Sequence, residues 1–169
     1  MKLKINNYIS ESYVDGPGIR FTVFTQGCIH NCPGCHNPQT HDFNKGVYFD
    51  NEKIVELMNK NPLIEGLTLS GGDPLMQIDE CLDLAKMVKN QDKNYDIVLY
   101  TGYTFEQIIE MGKKNDNLME LLKYIDYLID GPFILKLRDL ELNYCGSSNQ
   151  RVIDVQKTLK ENKIIIADI

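Results

Sequence analysis

The sequence predicts an α/β protein: an open, partial barrel or curved sheet of about six mostly parallel strands. Three observations carry that expectation. Runs of β-branched and aromatic residues alternate with helical apolar stripes, the pattern of βαβ units and a parallel sheet. About six such runs are too few to close an eight-stranded barrel. Four glycine- or cysteine-rich turns directly follow predicted strands. In a parallel sheet they fall on one rim, where such folds build their sites. A length of 169 residues suits a single domain over 1–169 with a sizeable core.

Taken in order, Lys2–Ile9 alternates loosely and reads as a short edge strand. Tyr13–Ile19 holds two glycines around Pro17, which predicts a tight turn with backbone brought close to a neighbour. Arg20–Thr25 is the first core strand, and a cysteine loop over Gly27–Asn37 leaves from its end. Gly46–Phe49 is weakly extended. Asp50 is placed to cap a helix over Asn51–Lys60, whose stripe is Ile54, Val55, Leu57 and Met58 and which Asn61-Pro62 stops.

Ile64–Ser70 reads as the second core strand, ending in Gly71-Gly72-Asp73-Pro74. A helix over about Leu75–Lys89 carries Cys81 on its apolar face, which makes that thiol inert packing. Tyr95–Tyr100 is the third strand. Thr104-Phe105-Glu106-Gln107 fits a capping box opening the next helix, and Leu118–Leu122 is helical in pattern. Ile125–Ile129 is the fourth strand and runs into Asp130-Gly131-Pro132. Phe133–Leu142 reads as an exposed helix or loop, and Asn143–Gln150 as polar turn. Val152-Ile153 reads as a short strand, Asp154–Lys160 as a helix and Ile164–Ala167 as a final strand.

Chemistry concentrates in Cys28, Cys32 and Cys35, spaced C-x3-C-x2-C. Thiolate is a soft ligand suited to iron–sulfur clusters, zinc and copper(I). A 4Fe-4S cluster usually takes four thiolates. Three would leave one iron open, as a catalytic centre needs and a structural one avoids. The plainer readings are a zinc knob completed by His30 or His36, or a redox pair.

Apolar residues make up 43% and charged residues 25%, with a net charge of −6. No basic stretch points to nucleic acid or to an anionic membrane. No segment reaches the roughly 18 apolar residues of a membrane span, and the N-terminus lacks an apolar signal core. A cytoplasmic home is expected, where thiols stay reduced, and the odd count of five cysteines argues against a disulfide framework.

The cysteine loop together with Gly71-Gly72-Asp73 resembles the radical S-adenosylmethionine (SAM) superfamily. Its members hold a 4Fe-4S cluster with C-x3-C-x2-C and meet the SAM amino group with Gly-Gly-Glu. Asp15-Gly16-Pro17-Gly18-Ile19-Arg20 narrows the resemblance to the glycyl-radical-enzyme activases. Gly146–Arg151 with Asp130-Gly131-Pro132-Phe133 narrows it to the activating proteins of anaerobic (class III) ribonucleoside-triphosphate reductases. The resemblance covers essentially the whole chain. Three departures stand out. Gly34 replaces an aromatic before the third cysteine, Asp73 replaces the usual glutamate, and Tyr144-Cys145 replaces a more usual Trp-Arg pair.

The resemblance implies a partial barrel of radical SAM type and an oxidoreductase that cleaves SAM reductively. Cys28, Cys32 and Cys35 would ligate iron. Gly34, Cys35, His36, Gly71, Gly72 and Asp73 would meet SAM, with Asp73 or the carbonyls beside it on the amino group. No side chain need act as general acid or base. The implied partners are the large glycyl radical subunit of an anaerobic ribonucleotide reductase and a small electron donor such as flavodoxin. Asp15-Gly16-Pro17 and Phe133–Gln150 are candidate docking surfaces. The alternatives are an activase of another glycyl radical enzyme, a small-molecule radical SAM maturase and, more remotely, a zinc-binding module.

Overall fold

A computed structural model describes all residues, Met1–Ile169. Strands rich in β-branched and large apolar residues assemble into one sheet. They are β1 (Lys2–Ser12), β2 (Arg20–Thr25), β3 (Val47–Asp50), β4 (Gly66–Gly71), β5 (Asp96–Tyr100), β6 (Tyr127–Asp130) and β7 (Arg151–Asp154). Their order is β3-β1-β2-β4-β5-β6-β7. β2, β4, β5 and β6 pair in parallel. β3-β1-β2 and β6-β7 are antiparallel flanks. The outer strands do not meet, so the sheet is open. It has seven strands where the sequence suggests about six, with the parallel ones at its centre.

Helices α1 (Asn51–Lys60), α2 (Ile78–Lys89), α3 (Phe105–Gly112), α4 (Asp116–Leu122) and α5 (Val155–Glu161) connect or follow the strands. A core of 28 buried residues joins the strand side chains, such as Phe21, Leu67, Ile97 and Leu128, to Ile54, Leu84, Ile108 and Leu121 of the helices. Gly66–Leu69 of β4 is buried without alternation, as a strand in the middle of a parallel sheet should be.

The capping box forms. Thr104 Oγ accepts from Gln107 N at 3.2 Å, and Gln107 Oε1 accepts from Thr104 N at 2.9 Å. Thr104→Ala is expected to lower stability by about 1 kcal/mol, a drop of roughly 2–4 °C in a thermal melt. An unchanged midpoint would mean that the cap contributes nothing. Cys81 is fully buried on α2, its thiol facing the Pro74 carbonyl at 3.4 Å, and burial pushes its pKa up, as inert packing requires.

Four local expectations change. β1 is not an edge strand: it continues to Ser12 through two register irregularities, and the weak segment β3 covers its outer side. Asp50 occupies the N-cap position of α1 but makes no side-chain cap, because it is the last residue of β3, opposite Lys2. The helix start is tied instead by Asn51 N, which donates to the Met1 carbonyl at 3.0 Å. Pro74–Gln77 is a 3-10 turn, so the α-helix begins at Ile78 rather than Leu75. Ile164–Ala167 forms one bridge, Ile166 to Ile153, not a strand. Asn162, in a left-handed conformation, ends α5 just before it, and β7 is only four residues long.

Candidate metal and cofactor site

Parallel pairing of β2, β4, β5 and β6 brings their C-terminal ends to one rim. The cysteine loop, Gly71-Gly72-Asp73, Thr101-Gly102-Tyr103 and Gly131-Pro132 leave from those ends. They surround a cavity of ≈ 370 Å³ lined by Cys28, Cys32 and Cys35, by Ser70, Gly71 and Gly72, and by Tyr100, Thr101, Gly102, Gly131 and Phe133. Val14 and Asp15 close another part of the wall.

The cysteine loop turns twice between its thiols, at Asn31 (φ 47°) and Gly34 (φ 75°). All three cysteines are half-buried and unpaired. Burial pushes the Cys28 thiol up, while the main-chain N–H groups of His30 and Asn31 act on it in the opposite direction. Asn37 N donates to Cys35 Sγ at 3.4 Å. No three His, Cys, Asp or Glu side chains converge tightly enough to share one metal ion. Three thiols spread around one cavity suit a cluster, which takes its thiolates at separate irons.

Gly34 faces Leu135. A Cβ there would lie 2.8 Å from Leu135 Cδ1, so the place of an aromatic neighbour is filled from Leu135–Leu137, a 3-10 turn. His36 packs against Phe133, with ring centroids 5.3 Å apart. Cys145 also lines the cavity. Burial, with the Asp130 charge, pushes its thiol up.

The two glycines serve the loop as well as the cavity. Gly71 has φ 98°, and a Cβ there would run into the Thr25 and Phe24 backbone. A Cβ on Gly72 would strike the Gly27 carbonyl. Gly72 N donates to Thr25 O at 2.8 Å, and Asp73 N to Gly27 O at 2.9 Å, so this turn holds the root of the cysteine loop. Asp73 itself is fully buried and is not on the cavity wall.

Two charged side chains brace the ends of the sheet, Arg151 at the rim and Arg20 at the opposite end, where β2, β4 and β5 begin. Arg20 is fully buried. Its guanidinium donates to Thr68 Oγ (2.7 Å), Pro17 O (2.8 Å) and Leu67 O (2.8 Å), and lies 2.6 Å from Asp96 Oδ1 in an ion contact. Arg151 bridges buried Asp130 at the end of β6 to Glu106 on α3, both at 2.5 Å. The sequence reading missed the structural part played by Arg20 and the partnership of His30 with Asp73. A charged residue opening an otherwise apolar strand, and a histidine inside the cysteine spacing, were the signals available.

The sequence pattern of the 4Fe-4S single cluster domain family matches residues 14–153. The anaerobic ribonucleoside-triphosphate reductase-activating protein of Vibrio cholerae is 36% identical over 154 residues, 88% of this chain and 96% of that protein. The protein of the same name from Enterobacteria phage T4 is 39% identical over 144 residues, 83% of this chain and 86% of its own. A crystal structure of QueE from Escherichia coli superposes with a TM-score of 0.49 at 16% identity, covering 62% of this chain and 54% of QueE.

Proposed function

The chain belongs to the 4Fe-4S single cluster family and, within it, to the anaerobic ribonucleoside-triphosphate reductase-activating proteins, and on that premise we propose that it is a radical SAM activase of such a reductase. The observation that carries the proposal is the meeting of Cys28, Cys32 and Cys35 with the Ser70–Gly72 turn on one cavity wall. Cys28, Cys32 and Cys35 would hold the cluster and leave one iron for SAM. When bound, the cluster supplies one electron to the SAM sulfonium, and the outcome is removal of a hydrogen atom from a glycine Cα of the reductase.

The chain's own residues bind and orient. Gly71 and Gly72 bring main chain to the wall where no side chain intervenes, so the SAM amino group is met by backbone there rather than by a carboxylate. Cys35 and His36, with Phe133 packed against the imidazole, also line the cavity and are suited to the adenine end, whereas Gly34 faces Leu135 and is not on the lining. Reduction of the cluster would draw on a small external one-electron donor, for which flavodoxin is the expected type. Tyr13, Val14, Leu135, Leu137 and Leu140 are exposed beside the rim and form the surface on which the large glycyl radical subunit docks. No helix is long and apolar enough to cross a membrane. Five free thiols accord with a reducing cytoplasm.

Anaerobic co-expression with a class III reductase tests the reading. A brown chain, a reduced-cluster EPR signal that changes on adding SAM, and a carbon-centred radical on the reductase are expected. A colourless chain holding zinc, or a radical that forms only on a small molecule, would overturn it.

A further inference from the structure

Asp73 is surrounded by donors. Its Oδ1 accepts from Leu75 N at 2.9 Å. Its Oδ2 accepts from Thr101 Oγ at 2.8 Å, Gly102 N at 2.9 Å and His30 Nε2 at 2.6 Å. Three of these four donors crowd Oδ2, and the residue is fully buried and off the cavity lining. His30 lies between Cys28 and Cys32. Its ring stands edge-on to Tyr103, centroids 4.6 Å apart, and a Cβ on Gly102 would lie 2.5 Å from the imidazole Cδ2. The imidazole is therefore held on three sides, by the end of β4, the end of β5 and Tyr103.

We propose that His30 and Asp73 are a positioning pair, in which the carboxylate reaches no ligand and instead locks the cysteine loop, through the imidazole, to the ends of β4 and β5. His30 follows Cys28 by two residues, so a fixed imidazole fixes the loop next to the first thiol. Asn31, the next residue, holds a left-handed conformation that a non-glycine residue adopts at some cost. A fixed neighbour keeps it there. Nε2 must carry a proton to face the carboxylate, whatever the charge of the ring. The proposal rests on the reading that the loop's thiols carry the cluster, but the lock itself is a property of the metal-free chain.

Amide hydrogen exchange on the full metal-free chain tests it. The amides of Gly27, Cys28 and Cys35 are bonded to Thr40 O, His41 O and Cys32 O. His30→Ala and Asp73→Ala are each expected to speed their exchange at least about tenfold, the loss of one charge-assisted hydrogen bond. The double variant is expected to be no faster than the quicker single. His30→Gln, which keeps a donor at similar reach, is expected to restore near-native exchange. It should also restore the reduced-cluster EPR line shape that His30→Ala alters in the loaded chain. Asp73→Glu is expected to fail like Asp73→Ala, because an added methylene must be forced into a closed cage. If Asp73→Ala does not fold, the His30 series and Asp73→Glu still decide. Unchanged exchange in His30→Ala, multiplying effects in the double variant, or native exchange in Asp73→Glu would each sink the lock. Normal cluster loading by Cys28→Ala would sink the ligand reading and leave the exchange result standing.

Discussion

Replacing Cys28, Cys32 or Cys35 by alanine is expected to abolish both the cluster absorbance of the reconstituted chain and its release of 5′-deoxyadenosine from SAM. The basis is the count of donors. Three thiols share the cavity wall, and removing one leaves two irons without a protein ligand. Cys81→Ala should retain loading and cleavage, since that thiol is fully buried on α2 and faces the Pro74 carbonyl. Cys145→Ala should also retain them. Cys145 lies on the same cavity, but outside the C-x3-C-x2-C loop. Colour, iron content and 5′-deoxyadenosine release, measured together, separate the five variants. A loop variant that still released 5′-deoxyadenosine at the normal rate would refute the ligand set. Loss of the cluster in Cys145→Ala would supply a fourth protein ligand, close the open iron and remove the position that SAM must take.

The rim was legible in the sequence because it depends on order alone. Strand-then-turn, repeated four times with parallel pairing, puts the turns together whatever their side chains do. Helix α1 was legible to the residue from its apolar stripe and its Asn61-Pro62 stop. The Thr104–Gln107 box was legible because capping is local. Partnerships between distant residues were not. Nothing within Lys2–Ile9 says that Val47–Asp50 will cover it, since pairing is decided by a segment some 40 residues on. The reach of Asp73 across 43 residues to His30 is equally invisible, and the motif's resemblance suggested a ligand contact instead. The resemblance implies that Gly71 and Gly72 meet SAM. The structure adds that the same glycines make room for the cysteine loop's own backbone.

Arg20→Met is expected to be the most destabilising single change outside the cysteine loop. The side chain it removes is fully buried, and the change leaves Pro17 O, Leu67 O and Thr68 Oγ without their donor and Asp96 without its cation. Breaking a buried charged network from one side costs about 3–5 kcal/mol, or on the order of 10 °C for a chain of this size. Arg20→Lys should recover little, because an ammonium cannot reproduce a planar fork that meets four partners. The loss should depend on pH. Burial already raises the Asp96 carboxyl above its ordinary value, and Arg20 opposes that. Without Arg20 it rises further, so the native state binds a proton that the unfolded state has released. Stability then falls as pH rises through that range, and the deficit relative to wild type should shrink from neutral toward mildly acidic conditions. The effect is partial, since the Asp96 side chain is 36% exposed. Denaturant unfolding at the two pH values measures both quantities. The consequence reaches the site: Arg20 holds Pro17, Thr68 Oγ holds the Asp15 carbonyl at 2.9 Å, and Val14 and Asp15 form part of the cavity wall. A variant within about 1 kcal/mol of wild type would mean that the Asp15–Arg20 segment keeps its place by packing alone, and its arginine would then need another explanation.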